Sequence, residues 1–469
     1  MQNSLLTCAQ WAEQQFSSVA LGDCRRVRRL VNVAAALAAC PTGTLPGALP
    51  KWKDLKAAYR LLDNPALTLE KALEPHLKQV RAASACPGQY LLIEDTTLLD
   101  YSAHPSLKGV GRIGDDTGRG FNLHTTLALK VHGRDSEGRP RVGLLGLAGQ
   151  HRWVRTQEFT RGSGVRCGYE PKKRKFSRAR ESERWGRVLA ELPPGLPGNQ
   201  RIYLADRESD IYELFARCQA AGCDYVVRAC YDRALLEAEG PLFATVRQQP
   251  ALGCYTLNLR ARPRIPARQA KIILRSGRVT LRPPYRPGGK PPPRELNVVH
   301  ACEVDGPPGQ TIEWFLLTNL PCESFAQARY VVQLYACRWL IEEYHKALKS
   351  GAGIEKSQLE ERRRIESLLA ILSLVAVRLL DLKLQAAKSP MQKLASEEIA
   401  PEALTILEAS FGAPPGGWTK HTLWIWIARM GGYLARKSDG PPGWQTLWRG
   451  WNRLRQMTEG AQIIRDSCG

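Results

Sequence analysis

Apolar and polar positions follow different patterns in successive parts of the chain, and the order of these patterns predicts its domains. From residue 3 to about 82, apolar positions recur at helical spacing, which predicts a compact all-helical domain. Within it, Asp23 is predicted to cap a helix that begins at Cys24. Between 83 and 230, short apolar runs typical of buried strands alternate with helical stretches, one of which is predicted over 181–192. This alternation predicts an α/β sheet with helices on its faces.

A β pattern follows, and helices then return. From 231 to 325, short apolar runs, such as those predicted as separate strands at Lys271–Leu274 and Val279–Leu281, are separated by turn residues. We interpret this region as a β insertion. Helical periodicity resumes at 326 and includes a long apolar stretch from Leu359 to Leu384. The predicted domains are 1–82, 83–230, 231–325, 326–385 and 386–469.

Two of the predicted strands in the α/β region end in an aspartate. The apolar run from Tyr90 to Ile93 leads into Glu94-Asp95-Thr96-Thr97, and a second run leads into Asp206. Because such strands are buried, each should deliver its aspartate to an edge of the sheet. We expect Asp95 and Asp206 to meet there.

The stretch from Tyr335 to Lys349 predicts a single amphipathic helix. At about 100° per residue, the apolar side collects Leu340, Ile341, Tyr344, Ala347 and Leu348. An arc of roughly 100° on the other side collects Tyr335, Arg338, Glu342, His345, Lys346 and Lys349. This face is either a solvated surface or, because one carboxylate stands among cations, a surface for a metal ion and an acidic polymer.

Together, Asp95, Asp206 and Glu342 predict a metal site. Two divalent ions about 4 Å apart, held by carboxylates, activate water or a 3′-hydroxyl at a phosphodiester and stabilise the leaving oxygen. Oxygen ligands favour Mg²⁺ or Mn²⁺ over zinc. Arg338, Lys346 and Lys349 would hold phosphates.

Charge supports a nucleic-acid partner. The net charge of +22 and the pI near 9.6 favour a polyanion. No apolar run reaches the roughly 18 residues that span a membrane, and the first residues lack signal-peptide order, so we expect a cytoplasmic protein. The basic N-terminal helices, with Arg25, Arg26, Arg29 and Arg60, predict duplex binding or, alternatively, a basic packing domain.

Six tryptophans lie in the C-terminal region, where they predict either core packing or a self-association surface. They are Trp418, Trp424, Trp426, Trp444, Trp448 and Trp451.

Several ordered motifs resemble one family. Tyr335-x2-Arg338-x3-Glu342-x6-Lys349 is similar to the tyrosine-arginine-glutamate-lysine signature of bacterial insertion-sequence transposases with an Asp-Asp-Glu active site. The Asp95 and Asp206 stretches resemble that family's two aspartate motifs. The wider match, to Tn-five-like members of the insertion-sequence-four family, rests on Phe16-Ser-Ser-x-Ala-Leu-Gly-Asp23, Leu30-Val-Asn-Val-Ala-Ala35, Ala58-Tyr59-Arg60 and Ile427-Ala-Arg-Met-Gly-Gly432.

The resemblance implies a ribonuclease-H-like catalytic core with a β-strand insertion, between an N-terminal DNA-binding domain and a C-terminal helical dimerisation region. It implies cut-and-paste transposition by a homodimer on transposon-end double-stranded DNA. Hydrolysis frees a 3′-hydroxyl, a hairpin forms and is opened, and the end is joined to target DNA. A bacterial, nucleoid-associated location and no membrane partner would follow.

The resemblance also implies residue roles. Asp95, Asp206 and Glu342 would bind two Mg²⁺ ions, for which Mn²⁺ would substitute. Trp314 matches a tryptophan associated with a flipped base, although a tryptophan at the start of a strand is also a common core residue. The matching positions near end DNA are Tyr335, Arg338, Lys349, Arg228, His345 and Lys346.

Some features depart from the family, and two other functions compete. The basic segment 162–180 and the Pro-rich loop 282–294 look like expansions without an assigned role. The family relative also makes an N-terminally shortened inhibitor from an internal methionine; here the first internal methionine is Met391, so an equivalent form would need a non-AUG start. The alternatives are a metal-dependent structure-specific DNA nuclease without strand transfer and an inactivated DNA-binding repressor. The presence of all three carboxylates weighs against the repressor.

Overall fold

The computed structural model describes most of the chain. The described residues are 7–41, 44–114, 118–155, 181–236, 238, 240–259, 265–285, 289–388, 399, 401–436 and 439–468. The basic segment 162–180 and residues 286–288 of the Pro-rich loop lie outside them.

A ten-stranded mixed sheet runs through these residues. Its strands are β1 (Gly88–Asp100), β2 (Gly111–Ile113), β3 (Gly118–Arg134), β4 (Pro140–Trp153), β5 (Asn199–Ala205), β6 (Asp224–Arg228), β7 (Ala251–Leu259), β8 (Arg268–Leu281), β9 (Arg294–Val304) and β10 (Glu313–Thr318). Their order is β2-β3-β1-β5-β6-β10-β9-β8-β7, and β4 also pairs with β3. β1, β5 and β6 are parallel, whereas β3 is antiparallel to β1 and β4 is antiparallel to β3.

The predicted β insertion extends this same sheet. β10 pairs with β6 in antiparallel register, with Leu316 opposite Arg228, and β9, β8 and β7 follow outward. The sequence predicted two short strands at Lys271–Leu274 and Val279–Leu281, but both belong to β8. They are continuous because β9 pairs with β8 without interruption from Lys271 to Leu281.

Thirteen α-helices within the described residues surround the sheet. They are α1 (Cys8–Phe16), α2 (Cys24–Ala39), α3 (Leu45–Ala48), α4 (Trp52–Leu62), α5 (Leu69–Ala83), α6 (Tyr212–Ala220), α7 (Leu242–Arg247), α8 (Phe325–Ala336), α9 (Trp339–Lys346), α10 (Arg362–Lys388), α11 (Pro401–Phe411), α12 (Lys420–Met430) and α13 (Trp444–Cys468). The predicted cap of α2 is confirmed, since Asp23 accepts a hydrogen bond from the Arg25 N–H at 2.8 Å.

The long helix α10 lies at the centre of the helical packing. From Ile365 to Leu380 every residue except Arg378 is buried, which is typical of a helix covered on all sides. It contacts α2, α4 and α5 on the N-terminal side, and β4, α9 and α12 elsewhere. The N-terminal helices and the sheet therefore share one hydrophobic core.

The C-terminal tryptophans serve packing. Trp444 and Trp448 are buried and stack with ring centroids 5.4 Å apart, and the other four are half-buried. Trp418, Trp426 and Trp451 border a small separate cluster of buried side chains. The large apolar side chains exposed in this part of the structure are instead Leu434, Met457, Ile463 and Ile464.

Two predicted helices differ from the observed ones. The single helix predicted from Tyr335 to Lys349 is interrupted at Cys337 and Arg338, between α8 and α9, and ends in a π-helical turn. A helix predicted over 181–192 is instead two 3₁₀ turns, because Gly186 between them has a left-handed φ of 70°.

No helix among the described residues is both long enough and apolar enough to cross a lipid bilayer.

Candidate active site

Asp95 and Asp206 lie in matching positions on neighbouring parallel strands. Ile93 of β1 pairs with Leu204 of β5, and each aspartate is two residues further along its chain. The sequence predicted that both strands end here. β5 does end before Asp206, but β1 continues to Asp100, still paired with β3. The two aspartates are therefore brought together where β5 stops and leaves the edge of β1 open.

Glu342 joins them from the first turn of α9. Arg338, at the break between α8 and α9, connects it to β1: the Arg338 Nη2 lies 2.7 Å from Glu342 Oε1, and its Nη1 lies 3.3 Å from Asp95 Oδ2. The interruption of the predicted helix thus points the guanidinium at both carboxylates. The side chains of Arg338, Asp95 and Glu342 are 13%, 18% and 29% exposed, so this ion-paired group is mostly shielded from water.

The electrostatics of Asp95 reflect the three acids. Burial, which is the largest cause, and the charges of Asp206 and Glu342 together raise the pKa of Asp95 to about 7. The Thr96 N–H and Arg338 act in the opposite direction without cancelling the effect. Part of the shift therefore comes from neighbouring carboxylate charge that Arg338 does not compensate, which a bound cation would offset.

A buried network that the sequence did not predict orients Asp95. The Thr96 N–H donates to Asp95 Oδ1 at 2.7 Å, and the Thr96 hydroxyl lies 2.9 Å from His124 Nδ1. His124 Nε2 in turn lies 3.2 Å from the carboxylate of Glu94. Glu94 is 1% exposed and also accepts hydrogen bonds from Thr126, Tyr203 and the Gly186 N–H. The sequence feature that could have indicated this network is Glu94, an acidic residue directly after a buried apolar run.

Arg184 joins the segments that follow the two aspartates. Its Nε donates to the Thr96 hydroxyl at 3.0 Å, and its Nη2 lies 2.7 Å from Glu208 Oε2. The Glu208 N–H donates to Asp206 Oδ1 at 2.9 Å. Nothing in the sequence around Arg184 indicated this role.

Four predicted DNA contacts form a second group beside the carboxylates. Tyr335 and Trp314 meet edge to face with ring centroids 5.1 Å apart, and the guanidinium of Arg228 lies 5.9 Å from the Trp314 ring. Arg338 is the fourth, with its guanidinium 5.9 Å from the Tyr335 ring. Tyr335 is only 5% exposed, so its hydroxyl lies within this cluster. Burial raises the pKa of Tyr335, which keeps it a neutral donor.

The other predicted DNA-contact residues between 335 and 349 do not share one surface. Lys346 is half-exposed beside Glu343, at 3.3 Å, and Lys349 pairs with Glu355 at 3.1 Å. His345 does not share their surface: it is 7% exposed, and burial lowers its pKa to about 3. Its placement on the polar face was wrong because α9 packs against β1 and β3, and His345 is buried together with Ile341 and Tyr344.

The predicted N-terminal cations lie on α2 and α4. Arg25, Arg26 and Arg60 are exposed, and Arg29 is half-buried. This domain is anchored to α10 by Asp63, whose Oδ1 lies 2.6 Å from Arg363 Nη2 and 2.9 Å from Arg364 Nε.

A separate donor cluster lies on β9 and β10. His300, Cys302 and Glu313 bring one potential ligand atom each within 4.8 Å of the others. Both oxygens of Glu313 already bind Arg247, at 3.0 Å each, and His300 Nε2 lies 2.9 Å from Glu313. The carboxylate charge is balanced by Arg247, so a metal is not required there.

Two family models match the chain. One, described as Transposase DNA-binding, matches residues 8–67, and one described as Transposase DDE domain matches residues 177–378. The chain is a DDE transposase. The matched DDE range contains Asp206 and Glu342, whereas Asp95 precedes it and is connected to the other two by the geometry described above.

The transposase uses divalent metal ions, as DDE domains do, and its partner is DNA. The residues at the site fit such an ion. Asp95, Asp206 and Glu342 offer only carboxylate oxygens, which suit hard divalent cations. Arg338 is paired with two of the three carboxylates, and the charges of Asp206 and Glu342 still contribute to the raised pKa of Asp95.

Proposed function

We propose that this transposase frees transposon ends by metal-dependent hydrolysis with a hairpin intermediate, and joins the 3′-hydroxyl ends to target DNA by a cut-and-paste route. The observation that carries the proposal is the convergence of Asp95, Asp206 and Glu342, linked by hydrogen bonds and ion pairs to one strand edge and one helix. The resemblance to Tn-five-like transposases of the insertion-sequence-four family, with its tyrosine-arginine-glutamate-lysine signature, supplies the hairpin route.

In this proposal, two Mg²⁺ ions are held by Asp95, Asp206 and Glu342, and Mn²⁺ can substitute for Mg²⁺. When bound, the ions activate water or a 3′-hydroxyl and stabilise the leaving oxygen. Thr96 holds one oxygen of Asp95, and the Glu208 N–H holds one oxygen of Asp206, so both carboxylates are oriented before a metal binds.

The aromatic and cationic group beside the triad positions the DNA strand. Arg228 and Arg338 contact phosphates, Tyr335 donates a hydrogen bond, and the half-buried Trp314 stacks on a base that leaves the helix. Lys346 and Lys349 extend the cationic surface along α9 and the turn that follows it. We do not include His345, because it is not part of this aromatic and cationic group but is buried in the helix that packs against β1 and β3, where its low pKa keeps it neutral.

A ribonuclease-H-like core is supported by the arrangement of five strands. β4, β3, β1, β5 and β6 lie side by side, with β4, β3 and β1 antiparallel and β1, β5 and β6 parallel. Asp95 stands on the central strand, Asp206 directly follows the neighbouring parallel strand, and Glu342 lies on a later helix. We propose that 83–230 and 326–385 form this core around the insertion 231–325.

The flanking regions complete the assembly. We propose that residues 1–82 bind end DNA through Arg25, Arg26, Arg29 and Arg60, that 386–469 mediates a homodimer on DNA, and that the enzyme acts on DNA of the bacterial nucleoid. The exposed Ile463 and Ile464 on α13 supply apolar surface for the dimer contact.

The test uses purified transposase, Mg²⁺ and DNA carrying the inverted repeats that flank the coding region. The proposal predicts hairpin ends and joined products. Nicked DNA without hairpins or joining would favour the alternative of a structure-specific nuclease, and end binding without cleavage would favour a repressor.

A further inference from the structure

Arg338 binds the very oxygens that a metal would need. Its two terminal nitrogens contact Asp95 Oδ2 at 3.3 Å and Glu342 Oε1 at 2.7 Å, one carboxylate from the central strand and one from α9. The guanidinium therefore spans two ligands of the proposed metal pair. Because its side chain is 13% exposed, water screens these contacts only partly.

A metal ion and this guanidinium compete for the same charge. A Mg²⁺ ion binds carboxylate oxygens at about 2.0–2.1 Å and requires near-octahedral space around itself. A second cation on the same oxygens would repel it and occupy part of that space. The contacts of Arg338 and those of a metal with both Asp95 and Glu342 therefore exclude each other at least in part.

We infer that Arg338 is the resident counter-ion of the unloaded triad, and that it leaves at least one of its two carboxylates when a divalent ion enters. The inference rests on the proposed metal-binding function of Asp95, Asp206 and Glu342. Without a metal, Arg338 holds Glu342 against the strand edge, although three carboxylates alone would repel one another. The ion pair assembles the site and also competes with its cofactor.

The released guanidinium has a nearby use. It lies beside Tyr335 and in the same cluster as Arg228 and Trp314, where the proposed DNA strand would pass. A planar guanidinium with five N–H donors suits a phosphate as well as it suits a carboxylate. Metal entry thus exchanges an intramolecular ion pair for a contact with DNA.

The experiment measures Mn²⁺ binding by the full-length protein without DNA, from the electron paramagnetic resonance signal of free Mn²⁺. Arg338→Gln removes the competing charge and should tighten Mn²⁺ binding roughly 10-fold, within the usual range of coupling between sites. Arg139→Gln is the matched control: it removes an exposed arginine paired with Asp135 at 2.8 Å, away from the triad, and should leave the affinity unchanged.

The outcomes are separable. Unchanged or weaker Mn²⁺ binding by a folded Arg338→Gln protein overturns the counter-ion role and leaves the metal triad intact. If the wild-type protein binds no Mn²⁺, the proposed function fails and this inference falls with it. Should Arg338→Gln not fold, Arg338→Lys decides: a single ammonium cannot span both carboxylates as the guanidinium does, so one carboxylate is freed and Mn²⁺ binding should still tighten. Unchanged or weaker Mn²⁺ binding by Arg338→Lys would overturn the counter-ion role.

Discussion

His124 and Glu94 form a buried pair directly behind the active site. His124 Nε2 lies 3.2 Å from Glu94 Oε2, and the two side chains are 5% and 1% exposed. The other ring nitrogen of His124 contacts Thr96, whose N–H holds Asp95. The pair therefore connects the interior of the sheet to the first carboxylate.

Replacing His124 by alanine should weaken both folding and catalysis. Glu94 would lose one of its partners in the interior, which typically costs about 1–3 kcal/mol in the free energy of unfolding. Loss of support behind a metal ligand typically lowers activity roughly 10-fold or more. Urea unfolding and an end-cleavage assay measure the two effects.

The control for this prediction is His151→Ala. His151 lies opposite His124 on β4 but is half-exposed, and outside this network, so its loss should change little. Equal effects of the two substitutions would show that the Glu94 pair has no special role.

The raised pKa of Asp95 predicts that this residue destabilises the folded, metal-free protein by an amount that depends on pH. The pKa rises from 3.8 to about 7 on folding. Between these values the folded chain keeps a proton that the unfolded chain has released, so the stability contributed by this group falls as the pH rises from about 4 to 7 and then levels off.

Asp95→Asn should remove this destabilisation, because asparagine has no ionisable carboxyl group. In the presence of a chelator, the variant should exceed the wild type in free energy of unfolding by about 2 kcal/mol at pH 8, and by clearly less at pH 5. Urea titrations at both pH values provide the measurement. A gain that does not depend on pH would contradict the role of charge at Asp95.

Arg60→Ala should weaken binding to end DNA. Arg60 is exposed on α4, inside the range matched by the DNA-binding model. If it contacts a phosphate, its loss should also reduce the slope of log affinity against log salt concentration by ~1. Lys78→Ala, an exposed cation on α5 outside that range, is the control. Unchanged affinity of Arg60→Ala would refute the proposed contact.

Gly450 lets two C-terminal helices approach closely. A Cβ added there would lie 1.7 Å from the Ile427 carbonyl oxygen of α12, and one added to Gly431 would lie 1.8 Å from the Thr446 carbonyl oxygen of α13. Gly450→Ala should therefore separate α12 from α13 and destabilise this region by about 1–3 kcal/mol or more.

Gly460→Ala provides the comparison on the same helix, because nothing lies within 4 Å of its added Cβ. It should leave stability equal or slightly higher, as alanine favours helices. Hydrogen exchange of α12 and α13 distinguishes the two variants, and equal protection in both would contradict the close approach.

Much of the fold followed from local patterns, while the active site depended partly on contacts that such patterns do not contain. Three features were predicted correctly because each depends only on neighbouring residues. They are the strand before Asp95, the helix cap at Asp23 and the apolar face of α9. The burial of His345 depends on the packing of α9 against β1 and β3, which helical periodicity does not describe. The break at Arg338 interrupts an otherwise continuous helical pattern, so periodicity did not indicate it either. Arg184 likewise gains its role only when distant segments meet.

The central claim is that three carboxylates share divalent ions at a scissile phosphate. Its most direct measurement compares Mn²⁺ binding and end cleavage by the wild type with those of Glu342→Gln, while end-DNA binding is followed in parallel. The account predicts that Glu342→Gln loses cleavage and at least part of its Mn²⁺ binding but keeps its affinity for DNA ends. A Glu342→Gln protein that binds Mn²⁺ and cleaves ends as the wild type does would contradict it.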